Sequence, residues 1–152
     1  MKNKVTIVLT TYNRPKFLIL ALDSILSQTF KNFRLVILDN GSDNETYKLI
    51  NSYDDKRIYY IKSDTNNLDF LNKAFTFTKL KYLMITHDDD IMEETLIERH
   101  IKKMDSNDEI GLISSSINLI DKEGDKLNKV RPRIKKDKNW SKNEFIEEYF
   151  LR

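Results

Sequence analysis

The 152-residue sequence contains no cysteine. Disulfides and thiolate metal sites are therefore both excluded. Glycine is almost as scarce: there are three, Gly41, Gly111 and Gly124, and no two are close in sequence. A P-loop or a dinucleotide fingerprint needs several glycines within one turn, so that backbone can approach phosphate. Both motifs are missing, and any phosphate must be met by another device. An excess of one charge is lacking too. The 26 basic and 24 acidic residues leave a net charge of +2, without the marked basic surplus of nucleic-acid binders. Long apolar runs are also absent. The stretch "FLILAL" from Phe17 falls far short of the roughly 20 residues that span a bilayer. "VTIVL" after "MKNK" is too short for a signal peptide and runs into "TTYNRP" instead of a cleavage site. The expectation is a cytoplasmic protein with no nucleic-acid partner and no transmembrane segment. Lysine outnumbers arginine 19 to 7, a composition that suits an AT-rich bacterial genome.

What is present is an alternation. The length suits one domain with a real core. β-branched runs at Lys4 to Thr10, Phe33 to Asp39, Arg57 to Ser63, Lys81 to His87 and Ile110 to Asp121 read as five strands. Between them, apolar residues recur at helical spacing in "PKFLILALDSILSQ", "GSDNETYKLINSY", "NLDFLNKAFTFT" and "IMEETLIERHIKKM". Pro15 suits a first helical turn, and Ser42 with Glu45 has the spacing of a capping box. Strands and helices in strict alternation predict βαβ units, a parallel sheet and right-handed crossovers. After Asp121 the pattern changes to a basic stretch, Arg131 to Lys138, and then "WSKNEFIEEYFLR". There Ser141 and Glu144 form a second capping box, and Trp140 with Phe145 a hydrophobic staple. No stop signal follows before Arg152, so the chain reads as truncated.

The polar clusters fall at strand ends: "TTYNR", "DNGSD", "SDTNN" and "HDDD". In a parallel sheet all these loops leave from one carboxyl edge, where open α/β sheets bind ligands. Each cluster has a plainer explanation. Asp88 to Asp90 could cap a helix beginning at Ile91, "DNGSD" could be a strand-to-helix loop, and "TTYNR" a strand end and cap. His87 and His100 fit structural or solvent-exposed roles better than ligation. The basic run is most simply a solvated loop, with contact to an anionic acceptor or membrane surface the second reading. Capping explains one or two aspartates, not a third. Carboxylates so placed suit a hard divalent cation that bridges to a substrate's phosphates.

The segment from Val5 to about Met92 resembles the opening half of family 2 glycosyltransferases of the GT-A fold. The similarity is carried by "VTIVLTTYNRPKFLILALDSILSQTFKNFRLVILDNGSDNET", "RIYYIKSD", "LNKAF" and "KYLMITHDDDIM". The resemblance implies a Rossmann-like three-layer α/β/α sandwich with a mostly parallel sheet, cut short at its C-terminus. It implies that Thr10, Tyr12 and Arg14 wrap the nucleobase and ribose, and that Asp39 and Asn40 contact the base. Asp88, Asp89 and Asp90 would hold a Mn²⁺ or Mg²⁺ ion, with Asp88 and Asp89 also on the nucleotide side. Three departures stand out: Asn40 where members often have aspartate, Leu71-Asn72 where they have Arg-Asn, and Leu80 where glycine is usual.

The implied division is a nucleotide-sugar-binding half, residues 1–121, and the start of an acceptor-binding half, residues 122–152. The implied reaction is metal-dependent, inverting transfer of a sugar from a UDP-sugar to a glycan or lipid-linked acceptor in polysaccharide biosynthesis. That would place the protein in the cytoplasm, at the inner face of the membrane. Inverting members take their general base from a later carboxylate, which is expected beyond Arg152, so this chain would lack it and transfer weakly alone. The rival is a catalytically silent nucleotide-sugar-binding or assembly module. A phosphatase or nuclease on a similar sheet is disfavoured, because the first strand ends in Thr-Thr-Tyr-Asn with no nucleophilic carboxylate.

Overall fold

The computed structural model describes residues 4–77, 79–131 and 139–150. It forms two compact units, divided between Glu109 and Ile110. In the first unit, strands β1 (Val5–Thr11), β2 (Phe33–Asp39), β3 (Ile58–Lys62) and β4 (Tyr82–His87) form one sheet in the order β3-β2-β1-β4. All three pairings are parallel. Side chains alternate between faces along each strand. Ile7 and Leu9 of β1 with Leu35 and Ile37 of β2 therefore meet one helical layer. That layer is α1 (Pro15–Leu26), α2 (Asn44–Asn51) and α4 (Leu96–Asp105), through Leu22, Ile25, Ile50, Ile97 and Ile101. Val8, Val36 and Leu38 on the other face meet Phe70 and Ala74, from α3 (Leu68–Leu71) and the 3₁₀ turn after it. The expected three-layer α/β/α arrangement is thus present, with β1 and β2 covered on both sides.

Local details differ from the sequence pattern. The third helix has a single α-helical turn and then continues as a 3₁₀ helix, Asn72–Phe77. Asn72, Thr76 and the aromatic Phe75 are weak helix formers, and the Thr76 hydroxyl donates back to the Lys73 carbonyl. Asp43, not Ser42, caps α2, its side chain accepting from the Glu45 and Thr46 amides. The fourth helix begins at Leu96 rather than Ile91. The intervening loop is fastened to α1 instead. Buried Gln28 donates to the Glu93 carbonyl and accepts from the Ile97 amide, and the Met92 amide donates to Ser24. Capping thus accounts for none of the three aspartates.

The second unit also departs from expectation. Ile110 to Asp121 is not a fifth strand of the parallel sheet. Residues 110–116 carry no strand structure, and β5 (Ile117–Ile120) pairs antiparallel with β6 (Lys126–Arg131). The hairpin turns where the Asp121 carboxylate accepts from the Glu123 and Asp125 amides, and Gly124 takes a φ of +92°. Helix α5 (Lys142–Phe150) opens with the expected box: the Glu144 amide donates to Ser141 Oγ, and the Ser141 amide to the Glu144 carboxylate. The Trp140 and Phe145 rings lie 5.9 Å apart, as the staple requires. The basic run from Arg131 onward lies outside the described residues, Arg131 excepted. Among the described residues, no helix is long and apolar enough to cross a membrane.

Candidate functional site

The register of the sheet brings the strand ends to one level. Thr11 pairs with Asp39, Thr10 with His87, and Asp39 with Lys62. Just beyond the ends, the Asn40 amide donates to the Thr11 carbonyl, the Asp88 amide to Thr10 and the Ser63 amide to Asp39. Strand order reverses around β1, where a crevice opens outside the carboxyl edge. It is a cleft of about 380 Å³, lined by Thr10, Thr11, Tyr12, Arg14, Asn40, His87, Asp88 and Asp89.

The two aspartates of the wall have different surroundings. Asp88 is only 4% exposed. Its Oδ2 accepts from the Thr11 hydroxyl at 2.7 Å and lies 3.4 Å from the Tyr12 amide. Asp89 is open to solvent. The Arg14 guanidinium reaches both, 3.0 Å from Asp89 Oδ2 and 3.6 Å from Asp88 Oδ1. One positive group therefore already sits between two carboxylates. His87 Nδ1 shares a 2.6 Å hydrogen bond with the Thr10 hydroxyl, which orients the imidazole at the rim. Tyr12 leaves much of its ring exposed, a flat apolar surface beside the charged wall.

Asp90 does not line the cleft; it turns back, with its Oδ2 3.4 Å from the His87 amide. Among the described residues, no three carboxylate or imidazole groups gather into a cluster that could by itself hold a metal ion. Asp39 lies behind the wall, fully buried, its oxygens accepting from the Ser42 amide at 2.7 Å and the Tyr60 hydroxyl at 2.6 Å. Burial and this carboxylate push the Tyr60 phenol well above its ordinary pKa. Asn40 does reach the cleft. Its side-chain oxygen accepts from the Asn67 amide, and its amino group donates to Asn66, so it ties the β2 and β3 loops together.

Of the residues the sequence singles out, the structure thus gathers Thr10, Tyr12, Arg14, Asn40, Asp88 and Asp89 on one wall and sets Asp39 and Asp90 outside it. Thr11 and Asn13 went unassigned, although both lie inside "TTYNR". Tyr60 carried no signal, because an aromatic in a strand reads as core.

A parallel sheet with carboxylates, a guanidinium and an aromatic ring at its switch point defines an α/β protein of the class whose open sheets bind ligands at the carboxyl edge. Solved structures share that architecture. TarS from S. aureus, residues 1–349 in complex with UDP-GlcNAc, superposes with a TM-score of 0.63 at 18% identity, over 77% of this chain and 40% of that one. The mannosyltransferase PcManGT from Pyrobaculum calidifontis, in complex with GDP-Man and Mn²⁺, gives 0.52 at 20% identity, over 60% and 29%. These likenesses establish the GT-A fold. The family model described as glycosyl transferase family 2 matches residues 6–150, and the chain belongs to that family. Among curated proteins, the uncharacterized glycosyltransferase MJ1057 of Methanocaldococcus jannaschii is 35% identical over 99% of this chain and 52% of its own length. The uncharacterized glycosyltransferase RP339 of Rickettsia prowazekii is 32% identical over 91% of this chain and 42% of its own length. The chain spans about half the length of the curated relatives it matches.

Proposed function

We propose that this chain binds a UDP-linked sugar in the cleft together with Mn²⁺ or Mg²⁺. The protein to which it belongs would transfer that sugar, with inversion, to a glycan or lipid-linked acceptor. The observation that carries the reading is the convergence of Tyr12, Arg14, Asn40, Asp88 and Asp89 on one crevice of about 380 Å³. The UDP and UDP-GlcNAc complexes of TarS, a protein of the same fold, support the choice of nucleotide.

The donor set suits a hard cation. Arg14 already stands in for one between Asp88 and Asp89. Two carboxylates on one cleft wall are the number that a divalent ion takes from protein when phosphates and water complete its shell. Asp89 and Asp88 would hold the ion, with Asp90 in a supporting place. When bound, the cation supplies charge stabilisation to the departing diphosphate. The chain's own residues do the rest. Tyr12 offers its ring to the base, and Asn40 presents an amide whose carbonyl keeps a free lone pair for a base N–H. Arg14 is free to move from carboxylate to phosphate. The donor half lies within residues 1–121, and residues 122–152 begin the acceptor half. No residue of this chain is assigned as the acceptor's base. A lipid-linked acceptor would place the protein at the cytoplasmic face of a membrane.

Calorimetry with UDP and Mn²⁺, repeated in EDTA, tests the reading. Binding that needs the cation is expected. Equal affinity in both conditions overturns the metal's role, and no binding in either overturns the nucleotide.

A further inference from the structure

Asp39 is a fully buried carboxylate that no cation pairs with among the described ion pairs. Burying such a group is costly unless its hydrogen bonds are complete. Here one oxygen takes the Ser42 amide and the other the Tyr60 hydroxyl, so the loop after β2 is pinned to strand β3. The chain of contacts continues. Ser42 Oγ accepts from the Asn13 amide at 2.9 Å, and Asn13 Oδ1 accepts from the Asp43 amide at 2.8 Å. Asn13 has a φ of +50°, a left-handed conformation that asparagine and aspartate adopt more readily than other residues with a side chain because their short polar groups hydrogen-bond locally. It stands between Tyr12 and Arg14, the two residues of the β1 loop that line the cleft wall.

The same loop is held from its other side. Gly41 has a φ of +92°, and a Cβ there would lie 3.0 Å from the Thr65 carbonyl carbon. The segment from Asn40 to Asp43 therefore has little freedom, and whatever shifts it shifts Asn13.

We propose that Tyr60 and Asp39 are positioning residues for the nucleotide, acting through Ser42 and Asn13 on the conformation of Tyr12 and Arg14. None of the four, Tyr60, Asp39, Ser42 or Asn13, lines the cleft. Their contribution is to hold its aromatic and cationic walls in the geometry that binding uses, before the ligand arrives. A strand end alone would require neither a buried carboxylate nor a phenol aimed at it from the neighbouring strand. The proposal rests on the nucleotide reading above, and its test separates the two.

The experiment compares UDP–Mn²⁺ titrations and thermal melts of the wild type with Tyr60→Phe, Asn13→Ala, Asn13→Asp and the double variant Tyr60→Phe/Asn13→Ala. Tyr53→Phe is the control. It removes a similar phenol–carboxylate bond, Tyr53 to Asp23 at 2.9 Å, that leads to no loop of the cleft. Tyr60→Phe and Asn13→Ala should each weaken UDP about tenfold, the scale of one lost partner of a buried polar group. The double variant should lose less than the product of the two, because both break one chain of contacts. Asn13→Asp, which keeps the acceptor and tolerates the left-handed conformation, should restore binding. Tyr53→Phe should melt lower yet bind as the wild type does. Unchanged UDP affinity in Tyr60→Phe overturns the proposal. If the wild type itself binds no UDP, the nucleotide reading fails. The ¹H–¹⁵N amide signals of Tyr12 and Asn13 then decide the coupling: displaced by Tyr60→Phe they uphold it, unmoved they overturn it.

Discussion

Asp88, Asp89 and Asp90 are chemically identical neighbours, and the string that spells them gives no ground for telling them apart. The turn that follows β4 does. It sets Asp88 inward, onto the Thr11 hydroxyl, leaves Asp89 on the open wall with Arg14, and sends Asp90 back toward His87. Three different outcomes of one substitution follow. Asp89→Asn should lower metal-dependent UDP affinity while stability stays within about 0.5 kcal/mol, as for most exposed positions. Asp88→Asn should cost both binding and stability, the latter by about 1–3 kcal/mol, because one face of a buried acceptor is lost. Asp90→Asn should have the smallest effect on UDP. Titrations beside thermal melts of the three variants check the order; an Asp90 effect as large as that of Asp89 would move the cation toward the His87 turn. The acidic cluster was legible as a site because three adjacent carboxylates exceed what a cap requires. The buried position of Asp39 was not legible. It depends on a phenol 21 residues away, a separation that no local pattern records.

At the scale of elements, the four strands of the parallel sheet were readable from their β-branched runs, although their order in the sheet was not. Nor were boundaries that depend on remote partners. Helix α4 starts where Gln28, 69 residues earlier, accepts from the Ile97 amide. The same side chain donates to Ser24 and Glu93, so it fixes the whole loop that follows the acidic turn. Gln28→Leu should therefore lower stability by about 1–3 kcal/mol, the cost of stranding buried backbone groups. Hydrogen exchange should show faster exchange in residues 92–97 than in β1. A melt indistinguishable from wild type would show that water replaces the side chain. Gly41→Ala belongs to this scale as well. With φ at +92° and no room before Thr65, it should cost more than about 1 kcal/mol. The expected fifth strand shows the same limit: "IGLISSS" has strand-like residues, yet residues 110–116 carry no strand structure.

In the first unit as a whole, the edge opposite the cleft has its own charge cluster. Asp105, at the end of α4, accepts from Lys4 ahead of β1, from Tyr82 at the start of β4 and from Lys81. Those hydrogen bonds, with Lys4 first and Tyr82 next, hold its carboxyl well below the usual carboxylate range. A carboxyl lowered in the folded state stabilises above its unfolded pKa of about 3.9 and loses that contribution as pH falls through the folded value. The melting temperature should thus decline as pH drops below about 4, and Asp105→Asn should flatten that decline. Equal slopes in the two proteins would show that the cluster adds nothing. The sheet has a further consequence, which concerns order in time. β1 is made before the other three strands of its sheet, yet it lies inside the sheet and needs β2 on one side and β4 on the other. Val5 pairs with Tyr82, so the founding strand stays half-partnered until β4 has been made. A nascent chain ending at Leu80 would carry an open apolar ladder. It should behave as an aggregation-prone or chaperone-bound species, while a chain extended through Asp105 folds cooperatively.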